Sequence, residues 1–193
     1  LFRSWFLMIN IFKTLLLLMS LMSCFIYGAE NESYEKEYYS LESALEVVFP
    51  EATSLKSNNV TISDTKLQII QRKLGLKLNN KTVIMYEGFS DSKSLGYALV
   101  LDEQGKYQPI TIMTCIDSDY KVKDVVLMVY REKIGSEVRK KRFTKQFVNK
   151  SSKDKLKVNM DINGISGATI SSYSMANAVK KSIAITEEIF KNS

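Results

Sequence analysis

The chain has no histidine. That gap removes Ser-His-Asp and Cys-His nucleophilic arrangements, histidine-ligated metal centres and haem attachment through Cys-x-x-Cys-His, because each needs an imidazole as base or ligand. Cysteine is nearly as scarce, with Cys24 and Cys115 the two present. Cys24 lies in a segment that export would lipidate or remove, which leaves Cys115 without a disulfide partner. Cys115 sits in an apolar, strand-like run, so its expected role is that of a small buried hydrophobe. No Gly-x-Gly-x-x-Gly fingerprint occurs, which argues against a self-contained nicotinamide-dependent reductase. Internal repeats and low-complexity tracts are missing as well.

What is present has an ordinary globular balance. The 193 residues are 45% hydrophobic and 25% charged, enough for one compact domain plus a targeting segment. The formal net charge of +6 suits nucleic acid, anionic lipid or an anionic cofactor and selects none of them.

The amino terminus carries the clearest targeting pattern. Met8 is read as the start of an export signal, with Lys13 as its positive charge and residues 14–27 as its apolar stretch, which includes Leu15-Leu16-Leu17-Leu18. That stretch falls short of the roughly 20 residues a membrane-spanning helix needs, so residues 1–29 are assigned to a signal peptide. Within it, Leu21-Met22-Ser23-Cys24 resembles a bacterial lipobox, which would leave a lipidated Cys24 at the new amino terminus. Ordinary cleavage after Gly28 or Ala29 is one alternative, and an uncleaved anchor is the other. The expected product is an exported protein, either a membrane-anchored lipoprotein or periplasmic.

Residues 30–39 read as a tether, and residues 40–193 as the domain. Ser40 caps a helix whose apolar face is Leu41, Ala44, Leu45 and Val48, ended by Pro50. A second helix starts at Ser63 or Asp64, buries Leu67, Ile70 and Leu74, and stops at Gly75. Residues 82–86, 96–101, 110–116 and 122–130 are rich in Val, Ile, Tyr and Thr and read as strands. Their links are too short for crossover helices, so neighbours should be antiparallel. The run Val125-Val126-Leu127-Met128-Val129 is apolar on both faces, which predicts a central strand covered on both sides. Residues 137–150 look helical, and residues 171–192 form a long amphipathic helix with Ala176, Val179, Ile183 and Phe190 on one face. The expected fold is α+β: a curved antiparallel sheet packed with helices.

The chemistry collects where the loop of residues 161–170 enters that last helix. Gly164 and Gly167 permit tight turns and leave amides uncovered by side chains. The first turn of a helix offers unpaired N–H groups and the positive end of its dipole, a natural seat for phosphate. Ser166, Thr169, Ser171 and Ser172 add hydroxyls that can donate to phosphate, cap the helix or be esterified by a dedicated transferase. With no histidine in the chain and no lysine in the loop, nothing nearby would activate them unaided. By itself, such a loop is more often a mere capping segment.

The run Asp161-Ile162-Asn163-Gly164-Ile165-Ser166-Gly167-Ala168-Thr169-Ile170-Ser171-Ser172 resembles the signature of the FMN-binding domain family. That family includes flavin-bearing subunits of the Rnf and sodium-pumping NADH:quinone reductase complexes, and stand-alone exported domains, which this chain is most similar to. The likeness continues in residues 40–50, in Leu95-Gly96-Tyr97-Ala98, and in Tyr130-Arg131-Glu132 followed by Gly135, Phe143 and Gln146-Phe147. The resemblance implies FMN as cofactor, joined through its phosphate to Thr169 by an extracytoplasmic flavin transferase. It implies further that Asn163, Gly164, Ser166, Gly167, Ala168, Ile170 and Ser171 surround the flavin. The flavin would then pass electrons between redox partner proteins in or near the membrane. Two positions depart from the pattern. At the first, the family usually has aspartate where this chain has Asn163, which keeps the size and the carbonyl but loses the charge. Asn149 stands where the family tends to place glycine, and asparagine tolerates the left-handed backbone such a turn needs.

Arg139-Lys140-Lys141-Arg142 reads as a solvated helix face or as a contact for the FMN phosphate or an anionic partner. Export argues against nucleic acid as a partner. Tyr97, Tyr130 and Phe147 are candidates for the core or for stacking on the flavin, and Glu132 and Glu137 for its polar neighbours. Alongside the electron-transfer flavoprotein stand two other readings. One is a lipoprotein of the same fold without flavin, acting as a binding or scaffold module. The other is an exported reductase with its own substrate.

Overall fold

A computed structural model describes residues 34–78 and 80–191. The expected signal peptide, its lipobox and Cys24 lie outside the described residues. No helix among the described residues is long and apolar enough to cross a membrane.

Six strands form one open antiparallel sheet: β1 (Lys36–Glu37), β2 (Ser54–Thr61), β3 (Thr82–Ser90), β4 (Lys93–Gln104), β5 (Pro109–Ile116) and β6 (Val122–Tyr130), in the order β1-β6-β5-β4-β3-β2. Every neighbouring pair is antiparallel, as the short links require. β1 falls inside the segment read as a tether and pairs Lys36 with Tyr130. β2 was not expected from the sequence. Its residues, Ser-Leu-Lys-Ser-Asn-Asn-Val-Thr, are almost all exposed, and pairing with β3 rather than burial defines it.

The helices form for local reasons. In α1 (Leu41–Val48) the Ser40 hydroxyl accepts the Ser43 N–H at 3.3 Å, and Ala44, Leu45 and Val48 are buried. In α2 (Asp64–Leu74) the Ser63 hydroxyl accepts from Lys66 N–H at 3.4 Å, and Gly75 closes the end at φ 63°. Both match the sequence reading.

Two layers cover the sheet. α1 packs on one face, where Val48 and Leu45 meet Ala98, Met113, Val126 and Met128. The last helix, α4 (Thr169–Thr186), packs on the other, where Met175, Val179 and Ile183 meet Ile112, Val125 and Leu127. β6 is therefore covered on both faces, as its continuous apolar run predicts. It is not central, however, since only the two-residue β1 lies outside it. Helices on opposite faces, not strands on both sides, account for its composition.

The expected helix over residues 137–150 is replaced by shorter pieces: a 3₁₀ turn (Ser136–Arg139), then α3 (Lys141–Thr144) and turns. Val138, Phe143 and Phe147 are all buried. Five residues of straight helix would separate Val138 from Phe143 by about 140° around the axis. Extended backbone at Lys140, with ψ 137°, re-aims the chain so that all three reach the core. Asn149 adopts φ 65°, the left-handed turn foreseen for it. α4 also departs from a simple amphipathic helix. Thirteen of its eighteen residues are buried, because α2 and the segment before α4 wrap the sides that the sheet leaves.

The sheet forks. β3 and β4 pair from Ser90↔Lys93 to Met85↔Leu99, beyond which Thr82–Ile84 pair with β2 alone and Val100–Gln104 with β5 alone. A cavity of about 500 Å³ fills the fork, lined by Val83, Ile84, Val100 and Leu101. At its base Lys181 of α4 donates to Glu103 at 2.5 Å, with the two side chains 11% and 8% exposed. Burial holds the Glu103 carboxyl above its ordinary range even against the Lys181 hydrogen bond and charge. A carboxyl raised in the folded state stabilises the fold below its unfolded value of 4.5 and loses that contribution as pH climbs through the folded value. Lys181→Met strands this carboxylate in the core. It is expected to cost about 3–5 kcal/mol at neutral pH and less below pH 4.5, measured by urea unfolding at both pH values.

Candidate functional site

Residues 161–168 lead into α4, and three polar clasps hold that approach. The first is Asp161, whose carboxylate accepts Leu156 N–H at 2.7 Å and Lys157 N–H at 2.6 Å, closing the preceding turn on itself. Burial alone would raise the Asp161 carboxyl, but the N–H groups of Lys157 and Leu156 outweigh it and hold it below the usual range. The second clasp is Gln146. Its side-chain amide donates to Asn163 O at 3.2 Å and accepts from Asn163 N–H at 2.8 Å. The third is the Ser172 hydroxyl, which donates to Ala168 O at 2.9 Å and accepts Ile165 N–H at 3.2 Å.

At the end of this approach α4 begins without a side-chain cap. Ala168 stands at the N-cap position and no side chain bonds the first-turn amides; the first internal bond runs from Ser172 N–H to Ala168 O. Gly167 precedes it at φ 80°, and a β-carbon built there would meet nothing within 4 Å. The start of the helix therefore offers N–H groups, the positive end of its dipole and open space, which suits a phosphate. The four hydroxyls divide. Ser166 and Thr169 are exposed, whereas Ser171 and Ser172 are buried and turned inward. Thr169 is the first residue of the helix. Gly164 is half-buried, where a β-carbon would lie 2.9 Å from Val158 Cγ1, and Asn163 is exposed.

Ser171 belongs to a knot that fixes a second loop to the helix. The Tyr130 hydroxyl donates to Ile134 O at 2.7 Å and shares a 2.8 Å hydrogen bond with Ser171 Oγ. Burial lifts the Tyr130 phenol above the ordinary tyrosine range, so it stays protonated as this donor. Gly135 leaves the room required: a β-carbon there would come within 2.6 Å of the Tyr130 hydroxyl and 2.9 Å of Ser171 Oγ. A third loop is tied on by Glu132, a buried carboxylate that accepts from Tyr107 N–H at 2.6 Å and Gln108 N–H at 3.0 Å. The Ser174 hydroxyl donates to Gln104 O at 2.6 Å and anchors the same hairpin to α4.

These ties bring exposed apolar side chains to the end of the molecule that holds Thr169. Tyr107 is 71% exposed, Ile134 79%, Ile170 45% and Tyr173 42%. Tyr107, Ile134 and Tyr173 were not singled out from sequence. The signal for Tyr173 was its place one helical turn after Thr169. The aromatic candidates named from sequence do not line this surface. Tyr130 and Phe147 are fully buried, Phe147 edge-on to Phe143 at 5.6 Å, and Tyr97 stacks on Phe190 at 4.2 Å. Glu132 is a structural acceptor, and Glu137 is exposed on the 3₁₀ turn. The basic run is partly engaged, with Arg139 over the Tyr38 ring at 4.7 Å and Lys141 bonded to Asp124 at 2.5 Å. Cys115 is fully buried, its Sγ 3.8 Å from Val48 O, and burial pushes the thiol up to about 12. It is an inert core residue. No group of histidine, cysteine or carboxylate side chains suited to a metal ion occurs among the described residues.

The family model of the FMN-binding domain matches residues 105–184, from the hairpin of Tyr107 through most of α4. No curated protein matches the chain. The protein is thus flavin-binding, with FMN as its cofactor.

The Asp161 clasp makes the loop sensitive to acid. A carboxyl lowered in the folded state contributes stability above its unfolded value of 3.8 and loses it as pH falls through the folded value. Proteolysis within residues 156–168 is therefore expected to accelerate below pH 3.8, using a protease active in acid. Asp161→Asn should show faster cleavage already at pH 7 and a flatter response to acid.

Proposed function

We propose that this FMN-binding domain of residues 105–184 carries its flavin as a phosphoester on Thr169 and serves outside the cytoplasm as an electron carrier between partner proteins. The observation that carries the reading is the position of Thr169: an exposed hydroxyl on the first residue of an uncapped helix, within a matched FMN-binding domain. The helix start would hold the phosphate through the N–H groups of residues 169–171, with Gly167 giving it access and Ser166 supplying a further donor. Tyr107, Ile134, Ile170 and Tyr173 would give the flavin ring an apolar border and leave its edge open to a partner. Bound FMN supplies reversible one- and two-electron transfer. The chain's own part is to position the cofactor and shape its surroundings.

Attachment needs an external transferase, because the chain lacks histidine and the loop lacks lysine to take the Thr169 proton. Export is supported by the apolar stretch and lipobox-like Cys24 of residues 1–29. A covalent bond serves an exported carrier, which has no cytoplasmic pool from which to replace lost FMN. A second reading, in which the FMN is held without a covalent bond, is favoured by Asn163 alone. The backbone of Asn163, not its side chain, is what Gln146 holds, so the missing carboxylate bears on recognition by a transferase and not on the shape of the loop.

The test is expression with the native leader in a host that contains a flavin transferase, followed by fluorescence imaging of a denaturing gel. The expected result is a fluorescent band that Thr169→Ala abolishes and Ser166→Ala retains. A dark band, together with no flavin released from the native protein, sinks the proposal. Asn163→Asp is expected to speed labelling severalfold while changing stability by less than about 0.5 kcal/mol, as befits an exposed side chain.

A further inference from the structure

The five residues of α4 that stay out of the core are Thr169, Ile170, Tyr173, Asn177 and Lys180. Thr169, Tyr173, Asn177 and Lys180 recur every three or four positions and so form one stripe along the helix, roughly 16 Å from end to end. The far half of the stripe is the wall of a groove of about 550 Å³, into which Tyr173, Asn177 and Lys180 all face. The opposite wall is the segment of residues 152–158, which contributes Lys153, Lys155 and Lys157; Lys73 of α2 also lines the groove. Five lysines thus line it against a single carboxylate, Asp154. That carboxylate is already bonded to Lys150 at 3.0 Å and to Ser151 N–H at 2.9 Å. Lys73 is bonded to Glu188 at 3.0 Å. No ion pair joins Lys153, Lys155, Lys157 or Lys180 to a carboxylate among the described residues.

Four like charges around one concavity repel one another, and nothing in the fold of the segment requires them. The turn of residues 151–154 is closed by Asp154, and the next by Asp161 with Leu156 and Val158 buried beneath. The lysines between these anchors point outward. A groove with a focused positive potential attracts an anionic surface and orients it on approach. We infer that this groove is the docking site for a carboxylate-rich segment of the protein that exchanges electrons with the flavin. Its concavity favours a protein segment over a bilayer: Asp and Glu side chains can enter a groove, whereas a plane of lipid headgroups meets only its rim. The stripe it shares with Thr169 places such a partner beside the attachment point. The identity of the partner as a redox protein rests on the electron-carrier reading, while the affinity of the groove for carboxylates does not.

The experiment measures fluorescence anisotropy of a labelled hexaglutamate peptide with the full chain at low salt. Lys155→Glu, Lys157→Glu and Lys180→Glu are combined and compared with an equal charge change away from the groove, at Lys56, Lys93 and Lys121. The groove variant is expected to weaken binding at least tenfold and the remote variant no more than threefold. Failure of flavin attachment is read separately, as a dark band on the denaturing gel, and does not bear on whether the groove binds the peptide. Equal losses in the two triple variants overturn the inference, because net charge then suffices. It is overturned equally if the peptide does not bind while phosphatidylglycerol vesicles do, which makes the groove a membrane contact. If the reversal variant fails to fold, Lys→Gln at the same three positions supports the same comparison.

Discussion

The near-complete burial of α4 is the constraint from which the other features follow. A helix covered by a sheet, a second helix and a wrapping segment must be built from small or apolar residues, and α4 is mostly serine, alanine, valine and isoleucine. Burying side chains such as Met175, Val179, Ile183 and Ile185 contributes about 1.5–3 kcal/mol each. The axis of the helix is thereby fixed against β4 and β5. Once the axis is fixed, the one direction open to solvent is the stripe that begins at Thr169. The first residue of such a helix, Thr169, inherits the rigidity of the core although it lies at the surface.

The loops around that point are stiffened by polar contacts that span long stretches of sequence. Tyr130 joins β6 to the first turn of α4 across 41 residues, Ser174 reaches back 70 residues to the β4–β5 hairpin, and Gln146 holds Asn163 across 17. Each contact satisfies a backbone or hydroxyl group that would otherwise be costly to bury. Together they hold three loops in one arrangement. A bound cofactor gains from such preorganisation, because little of the surrounding protein need rearrange to hold it.

What the sequence revealed and what it hid divide along the same line, between local and distant. Ser40, Ser63 and Gly75 mark helix ends through bonds to residues three or four away, and those ends were legible. The four apolar strands were legible because their composition is itself the signal. β2 was not, since its polar side chains carry no alternation and its hydrogen bonds go to a distant strand, from Ser54↔Phe89 to Thr61↔Thr82. The segment after β6 read as one helix because Lys140, which breaks it, is an ordinary helix former; the break serves Val138 and Phe143 in a core the sequence does not display. At the site, the loop glycines and the hydroxyl cluster were visible, and the likeness to a flavin-binding family singled out Thr169. The inward turn of Ser171 was not visible, because it depends on Tyr130 and on the space above Gly135.

The fork between β3 and β4 makes the sheet mechanically two pieces. Beyond Met85 and Leu99 no ladder of hydrogen bonds crosses from one to the other, and what joins them there is side-chain packing around a cavity. Strain applied to the β2–β3 ribbon is therefore absorbed by shear of soft contacts instead of being passed along the backbone into β4. The strands that support the end holding Thr169, β4 to β6, stay joined by the β4–β5 and β5–β6 ladders and are clamped by α1 and α4 on opposite faces. Local opening of that edge beyond Met85 therefore breaks side-chain contacts and leaves the β4–β5 ladder intact.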